Sequence, residues 1–316
     1  MKKYKKYIIN LLTVLVLIIN IILVGSAFSC KGSNNFSNLI GISSYPPQQG
    51  GTSLHTNAID FNDISNDGAT FISPTDFGFS DDMLYVANSA IPFDFEIFGN
   101  TFNAPINLNI CINGWFSFDT SFNGLLFDNT TYRPFNLNIN SFMAPFYDDL
   151  IINGYSGQGV WYLTQGTAPN RQFILQYFTS GYPLIARDNK LVFQAVLFEG
   201  TNDIQFIYAK MQDVNGNDST TIAGNPTGSS ATIGVYTGTS ATNNSGSTSE
   251  FSHNTASIPL PLPTSSNQAF SVYFDYNPST QNYTITNGYV NITDIASYNI
   301  LPRLNNNQVN YNKTQN

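Results

Sequence analysis

Residues 107–118 read NLNICINGWFSF, and this stretch decides the fold. Leu108, Ile110 and Ile112 alternate with Asn107, Asn109 and Cys111, the period of two that marks a strand. Asn113-Gly114 then offers the pair that most readily takes positive φ at both central positions of a type I′ turn. Trp115 to Phe118 leads the chain back. With a two-residue loop, Ile112 faces Trp115 and Cys111 faces Phe116 across the ladder. Large apolar groups then stand on both faces. Such a hairpin is covered on both sides and belongs near the middle of a layered β structure. Gly114 carries a mechanical expectation: Gly114→Val costs about 1–3 kcal/mol from backbone strain alone.

Working outward, the same pattern recurs. SNDGATFI (65–72) is a turn around Asp67-Gly68 entering a strand. IPFDFEIFG (91–99) alternates Phe93, Phe95 and Ile97 against Asp94, Glu96 and Phe98, with Gly99-Asn100 turning the chain. The Asn-rich segment 120–140 loops over the sheet edge. In FMAPFYDDLIING (142–154), Pro145 cannot donate to a ladder, which places the piece at a strand start or a sheet edge. GVWYLTQG (159–166) and QFILQYF (172–178) follow across TAPN, then VFQAVLFE (192–199) and IQFIYAKM (204–211) across GTND, then ATIGVYTG (231–238). The Thr/Ser/Asn/Gly tract 238–257 reads as a long loop. AFSVYFDYN (269–277) and a hairpin YTITNGYVNI (283–292) close the fold. Many short strands with turns between them, and no helical periodicity beyond the first 30 residues, indicate an all-β chain built as an antiparallel β-sandwich.

The composition agrees. Of 316 residues, 14% are aromatic and only 10% charged, against roughly 25% charged in ordinary soluble domains. The surface is therefore polar through Asn, Ser and Thr, as in many secreted β proteins. The N-terminus adds an export signal. Lys2, Lys3, Lys5 and Lys6 precede an apolar run from Ile8 to Val24, and Gly25-Ser26-Ala27 offers small residues for cleavage. The segment 1–29 reads as a signal peptide, with an uncleaved anchor as the rival reading. Removing it takes away four of the 12 basic residues and none of the 20 acidic ones, which moves the net charge from −8 to near −12. Such a chain does not hold nucleic acid by counterion release and is repelled by anionic membranes. Its only route to a membrane is a lipid or a retained anchor. AFSC (27–30) resembles the lipobox of bacterial lipoproteins, whose cysteine is acylated; the other reading is cleavage after Ala27, with Cys30 an ordinary residue. Residues 30–60 read as a flexible tether, order begins near Phe61, and 303–316 is a disordered tail. Cys111, the only other cysteine, reads as a small buried hydrophobe.

Candidate sites are few. Asp148-Asp149, with Asn153 and nearby carbonyls, offers oxygens for Ca²⁺; the alternative is a carboxylate capping a turn. No other cofactor is implied. Asp213, Asn215 and Asn217 in DVNGND take positions 1, 3 and 5 of an EF-hand-like loop, but Gly224 stands where a bidentate Glu is needed, so the segment reads as a solvated turn. His55 and His253 fall in the tether and the long loop, without metal-ligand spacing. A glycosidase needs two facing carboxylates, for which Asp148 with Glu96 or Glu199 is the candidate set. Nucleophile elbows and phosphate loops are absent from the sequence. Sequons at Asn35, Asn129, Asn217, Asn243, Asn282, Asn291 and Asn312 are close to chance in so Asn-rich a chain.

PFDFEIFG, ICINGWFSF, MAPFYDDL, the VWY strand, FQAVLFEG, IQFIYA and ATIGVY occur in that order. Together they resemble the nidogen-like domain of extracellular matrix and cell-surface proteins and the related domain of bacterial surface proteins. The resemblance covers residues 70–238 and is strongest over 106–236. Asn113, Gly114, Phe116 and Phe118 match its NG-x-F-x-F hairpin. Pro145, Phe146 and Asp148 match its PF-x-D element, and Gln194 and Tyr208 its FQ and F-x-Y strands. The domain is then 61–238, with 239–302 packed on it. The resemblance implies an extracellular adhesion role toward a protein or glycan partner, without catalysis. The cysteine-rich modules attached to the animal proteins are missing here. A sandwich lectin or carbohydrate-active enzyme, and a structural cell-envelope lipoprotein, are the alternatives.

Overall fold

The computed structural model describes residues 54–78, 82–124, 127–129, 138–152, 157–182, 190–212, 228–238, 246–255, 259–260 and 267–294. The segment read as a signal peptide, most of that read as a tether, DVNGND and the residues from 295 on lie outside them. The described residues fall in one compact unit, Pro47–Asn316.

In chain order the strands are β1 (Phe61–Asn62), β2 (Thr70–Ile72), β3 (Leu84–Ile91), β4 (Phe95–Ile97), β5 (Asn100–Phe102), β6 (Ile106–Cys111), β7 (Trp115–Ser117) and β8 (Phe142–Tyr147). There follow β9 (Leu150–Ile151), β10 (Gly159–Gln165), β11 (Gln172–Gly181), β12 (Lys190–Phe198) and β13 (Ile204–Gln212). The last four are β14 (Thr232–Tyr236), β15 (Thr248–His253), β16 (Gln268–Asn277) and β17 (Asn282–Asp294). A 3₁₀ turn, Ile64–Asn66, is capped by Asp63, whose carboxylate accepts from the Ser65 N–H. The chain is all-β among the described residues.

Two principal sheets form. The larger runs β1-β17-β16-β13-β12-β11-β10-β2, with β9 also on β11; the second runs β15-β14-β8-β7-β6-β3. Their pairs are antiparallel except β1 on β17, which is parallel, so the larger sheet is mixed rather than purely antiparallel. The cause is the path of the N-terminal segment, which lies along the last strand instead of entering through a hairpin. One apolar cluster draws on both sheets: Ile110, Phe116, Phe146 and Ile233 share it with Leu175, Phe193 and Phe206. Phe146 and Phe193 meet with ring centroids 5.6 Å apart. Each such fully buried side chain contributes about 1.5–3 kcal/mol of transfer free energy.

The central hairpin forms as β6 and β7, with both faces covered, but its register is one residue from the expected one. Cys111 faces Trp115 and Ile110 faces Phe116. The loop has three residues, Ile112-Asn113-Gly114, and Gly114 alone among them has positive φ (74°). The Gly114 N–H donates to the Cys111 carbonyl. This is a type I turn followed by a left-handed glycine, not a type I′ turn. Because side chains alternate, the shift decides the faces. Cys111 and Trp115 enter a second cluster with Phe142 and Tyr147, while Ile110 and Phe116 enter the shared core. A two-residue loop with both φ positive does exist, at Phe98-Gly99 (47° and 80°), where Ile97 pairs Asn100. It sits one residue before the expected Gly99-Asn100.

Four further expectations are corrected. Pro145 is not at an edge, since β8 lies between β14 and β7. The proline sits at a bulge: Tyr147 pairs Thr232 while Ala144 pairs Gly234, so the ladder needs no N–H from it. The tract 238–257 contains β15, paired along β14. Asn287-Gly288 is no turn. It lies inside the continuous strand β17, opposite Val272 and Ser271, and a Cβ on Gly288 would stand 3.0 Å from the Leu54 side chain. Glycine there lets another part of the chain approach closely.

That part is the segment 54–60, read from the sequence as tether, which packs on the larger sheet before Phe61. The Ile59 N–H and carbonyl both bond to the Gln205 side chain, at 2.9 Å each. Gln194 Nε2 donates to the Asn62 carbonyl, and Gln176 Oε1 accepts from the Ile64 N–H. Three buried glutamines on neighbouring strands thus supply the partners that a backbone crossing a sheet face would otherwise lack.

Candidate functional site

Asp148 follows β8 and is 4% exposed. One oxygen accepts from the Asp149 N–H at 2.9 Å and the other from the Ser230 hydroxyl at 2.6 Å. Its own N–H donates to the Asn113 carbonyl. The Asn113 side chain accepts from the Leu150 N–H and donates to Asp82. The NG loop and the PF-x-D element therefore dock on each other through Asn113 and Asp148. Asn153 lies outside the described residues. Groups of three or more His, Cys, Asp or Glu side chains suited to a metal are absent among the described residues.

The other candidates are each engaged by local partners. Glu199 pairs with Arg171 at 2.6 Å, and the hydrogen bond from that guanidinium holds its carboxyl below the usual range. Glu96 accepts from the Tyr276 hydroxyl, whose own pKa is pushed up to about 12 by burial first and then by Glu96. Asp148, Glu96 and Glu199 thus hold separate partners. His55 belongs to the packed N-terminal segment and stacks on Tyr273 with centroids 4.5 Å apart. His253 is on β15, with Nδ1 2.6 Å from the Thr232 hydroxyl. That hydroxyl belongs to a fully buried residue, out of reach of a substrate. Cys111 is a free, fully buried thiol whose pKa is raised by desolvation. Asn129 is also buried: its amide donates to the Tyr147 and Ser230 carbonyls, which leaves that sequon inaccessible in the folded chain.

A concave feature that the sequence did not announce lies at the β2 end of the larger sheet. It is a cleft of about 350 Å³ whose one side is Tyr162, Leu163 and Thr164 of β10. Facing them are Ser89 and Ala90 of β3 and the following Pro92, with Gly68 and Thr70 at the end. Alternation along β10 turns Val160 and Tyr162 to the shared core and Trp161 and Leu163 to the other face, so Thr164 falls on the cleft side. The lining carries no charged residue. The Thr164 hydroxyl oxygen is buried and has no hydrogen-bond partner. Strand β3 is interrupted here, with a register shift between Ala87 and Ile91, and Ser89 has φ of 53° with its N–H held by Asn107. No sequence motif marks this place; its residues come from the stretch 68–92, around β2 and β3, and from β10 much later in the chain.

A family model described as "NIDO related" matches residues 53–271, more than half of the chain. The chain belongs to the NIDO-related family. The matched region starts where the glutamine-held segment starts and runs into β16, so the NIDO-related domain takes in more at both ends than the resemblance over 70–238. The family is of an extracellular kind. No curated protein and no solved structure matches the NIDO-related chain. Among the described residues, no helix is long and apolar enough to cross a membrane.

Proposed function

We propose that this NIDO-related chain is exported and acts as a non-enzymatic adhesion or binding module outside the cell, with its two sheets packed as a sandwich. The shared apolar cluster and the Phe146–Phe193 contact support the sandwich. The observation that carries the binding reading is the open, uncharged cleft between β10 and β3 in a domain of extracellular family. The carboxylates weighed for hydrolysis are occupied with local partners, which favours binding over catalysis. An array of matrix proteins, cell-surface proteins and glycans, probed with the full chain, tests it. Specific binding above an unrelated sandwich domain is expected; uniform background across the array would overturn the reading.

Export is proposed to use the segment 1–29, with Cys30 as the lipid attachment point. Two or more acyl chains give stable anchoring where one gives only marginal binding. Detergent-phase partitioning and intact mass of the mature protein test this. Cys30→Ser is expected to shift the protein to the aqueous phase. Wild-type protein found wholly in the aqueous phase with Phe28 at its N-terminus would sink the lipid reading.

A further inference from the structure

We propose that the cleft beside β10 receives an extended, uncharged peptide segment of a partner, added as a strand to β10 where β2 leaves off. The inference rests on the reading of the chain as a binding module and names its ligand class.

The argument begins with backbone. Strand β10 pairs with β11 over its whole length, from Gly159 to Gln165. On its other side β2 covers only Val160, Trp161 and Tyr162. Past Thr70 the chain turns away at Gly68, which has φ of 78°. Leu163, Thr164 and Gln165 are thus left without a strand on that side among the described residues. In a strand, alternate residues direct N–H and C=O to opposite neighbours, so this uncovered length presents main-chain donors and acceptors in ladder geometry. The cleft runs along it, lined by Leu163 and Thr164.

The facing wall fits the same occupant. Ser89 and Ala90 bulge out of β3, and Pro92, which lacks an N–H, cannot close the gap by pairing. The bulge and the proline keep β3 from covering β10. A strand added at an open edge gains affinity from main-chain bonds and specificity from the pockets that take alternate side chains. Here the alternate positions meet Tyr162 and Pro92. The lining offers hydroxyl and apolar surface and no charge, which excludes a charged segment at the contact positions. The lining holds no amide or carboxylate side chain to take a glycan's hydroxyl groups in paired hydrogen bonds, which favours a peptide.

The test uses the isotope-labelled full chain and two probes: a capped peptide of alternating threonine and valine, and a set of neutral oligosaccharides. Peptide binding is expected to move the amide resonances of Leu163, Thr164, Gln165 and Ala90. Methylating the peptide nitrogens in one alternating phase removes the bonds to β10 and is expected to abolish binding, while the opposite phase leaves it intact. Ala90→Arg, which fills the cleft, is expected to weaken binding at least about tenfold with an unchanged melting temperature. If Ala90→Arg lowers the melting temperature, the paired methylated peptides on the wild-type chain decide alone. Equal binding of both methylated phases, or no peptide binding at all, would overturn the inference. Oligosaccharide shifts at the same amides would overturn the peptide class while leaving the binding-module reading intact. Silence of the cleft toward both probes, with no specific partner on the wider array, would overturn both.

Discussion

The Tyr208 hydroxyl, on β13 of the larger sheet, donates to the backbone carbonyl of Pro145, on β8 of the second sheet, at 2.5 Å. Both residues are buried, and the bond satisfies a carbonyl at the bulge where β8 leaves its ladder. Tyr208→Phe keeps the ring and removes the donor, leaving a buried acceptor unpartnered. A loss of about 1–3 kcal/mol is expected. Urea denaturation with an unchanged slope and a lower midpoint is the expected outcome; an unchanged midpoint would show that the bond adds nothing to stability.

The same burial sets an alkaline limit. Tyr177, Tyr208 and Tyr283 all have pKa values raised well above 10, with desolvation the largest cause in each. In the unfolded chain these phenols ionise near about 10. The folded state therefore keeps protons that the unfolded state releases, and stability present below about pH 10 is lost as pH rises above it. A phenolate absorbance titration is expected to show these tyrosines ionising together with unfolding. Smooth ionisation of all 18 tyrosines near pH 10 in a folded chain would contradict it.

Gly114 and Gly68 separate backbone strain from collision. Both have positive φ, 74° and 78°. A Cβ on Gly114 would collide with the carbonyl oxygen of Phe146, whereas one on Gly68 meets nothing within 4 Å. Gly68→Ala is expected to cost on the order of 1 kcal/mol, the strain alone. Gly114→Ala is expected to exceed 3 kcal/mol, beyond the usual strain range, because backbone must move. Thermal melts of the two variants side by side check this; equal shifts would mean that the loop yields without cost.

Gln205 holds the N-terminal segment by both hydrogen-bonding ends of its amide. Gln205→Ala is expected to expose the Ile59 amide to rapid hydrogen exchange, while the centre of β13 stays protected. Retained protection at Ile59 would show that packing of Leu54 and Ala58 suffices to hold the segment.

The sequence by itself determined the strand content and the place of most strands. Period-two patterning in 106–111, 159–165, 190–198, 204–212 and 268–277 depends on which side chains prefer a pleated, half-buried surface, and that is a local property. It also determined that the hairpin is apolar on both faces. The order of motifs was enough for the family. Register and turn type escaped it. Asn-Gly at 113–114 makes a three-residue loop, because its oxygens must meet the N–H groups of Phe146, Asp148 and Leu150. Asn-Gly at 287–288 stays in a strand, because Leu54 lies over it. The tight two-residue turn goes to Phe98-Gly99, where the Phe98 ring packs edge-on against Tyr283. The glutamine clamp, the bulge that admits Pro145 and the cleft beside β10 likewise join residues distant in the chain. Such features depend on contacts that do not exist until the sheets have formed, so only the tertiary structure decided them.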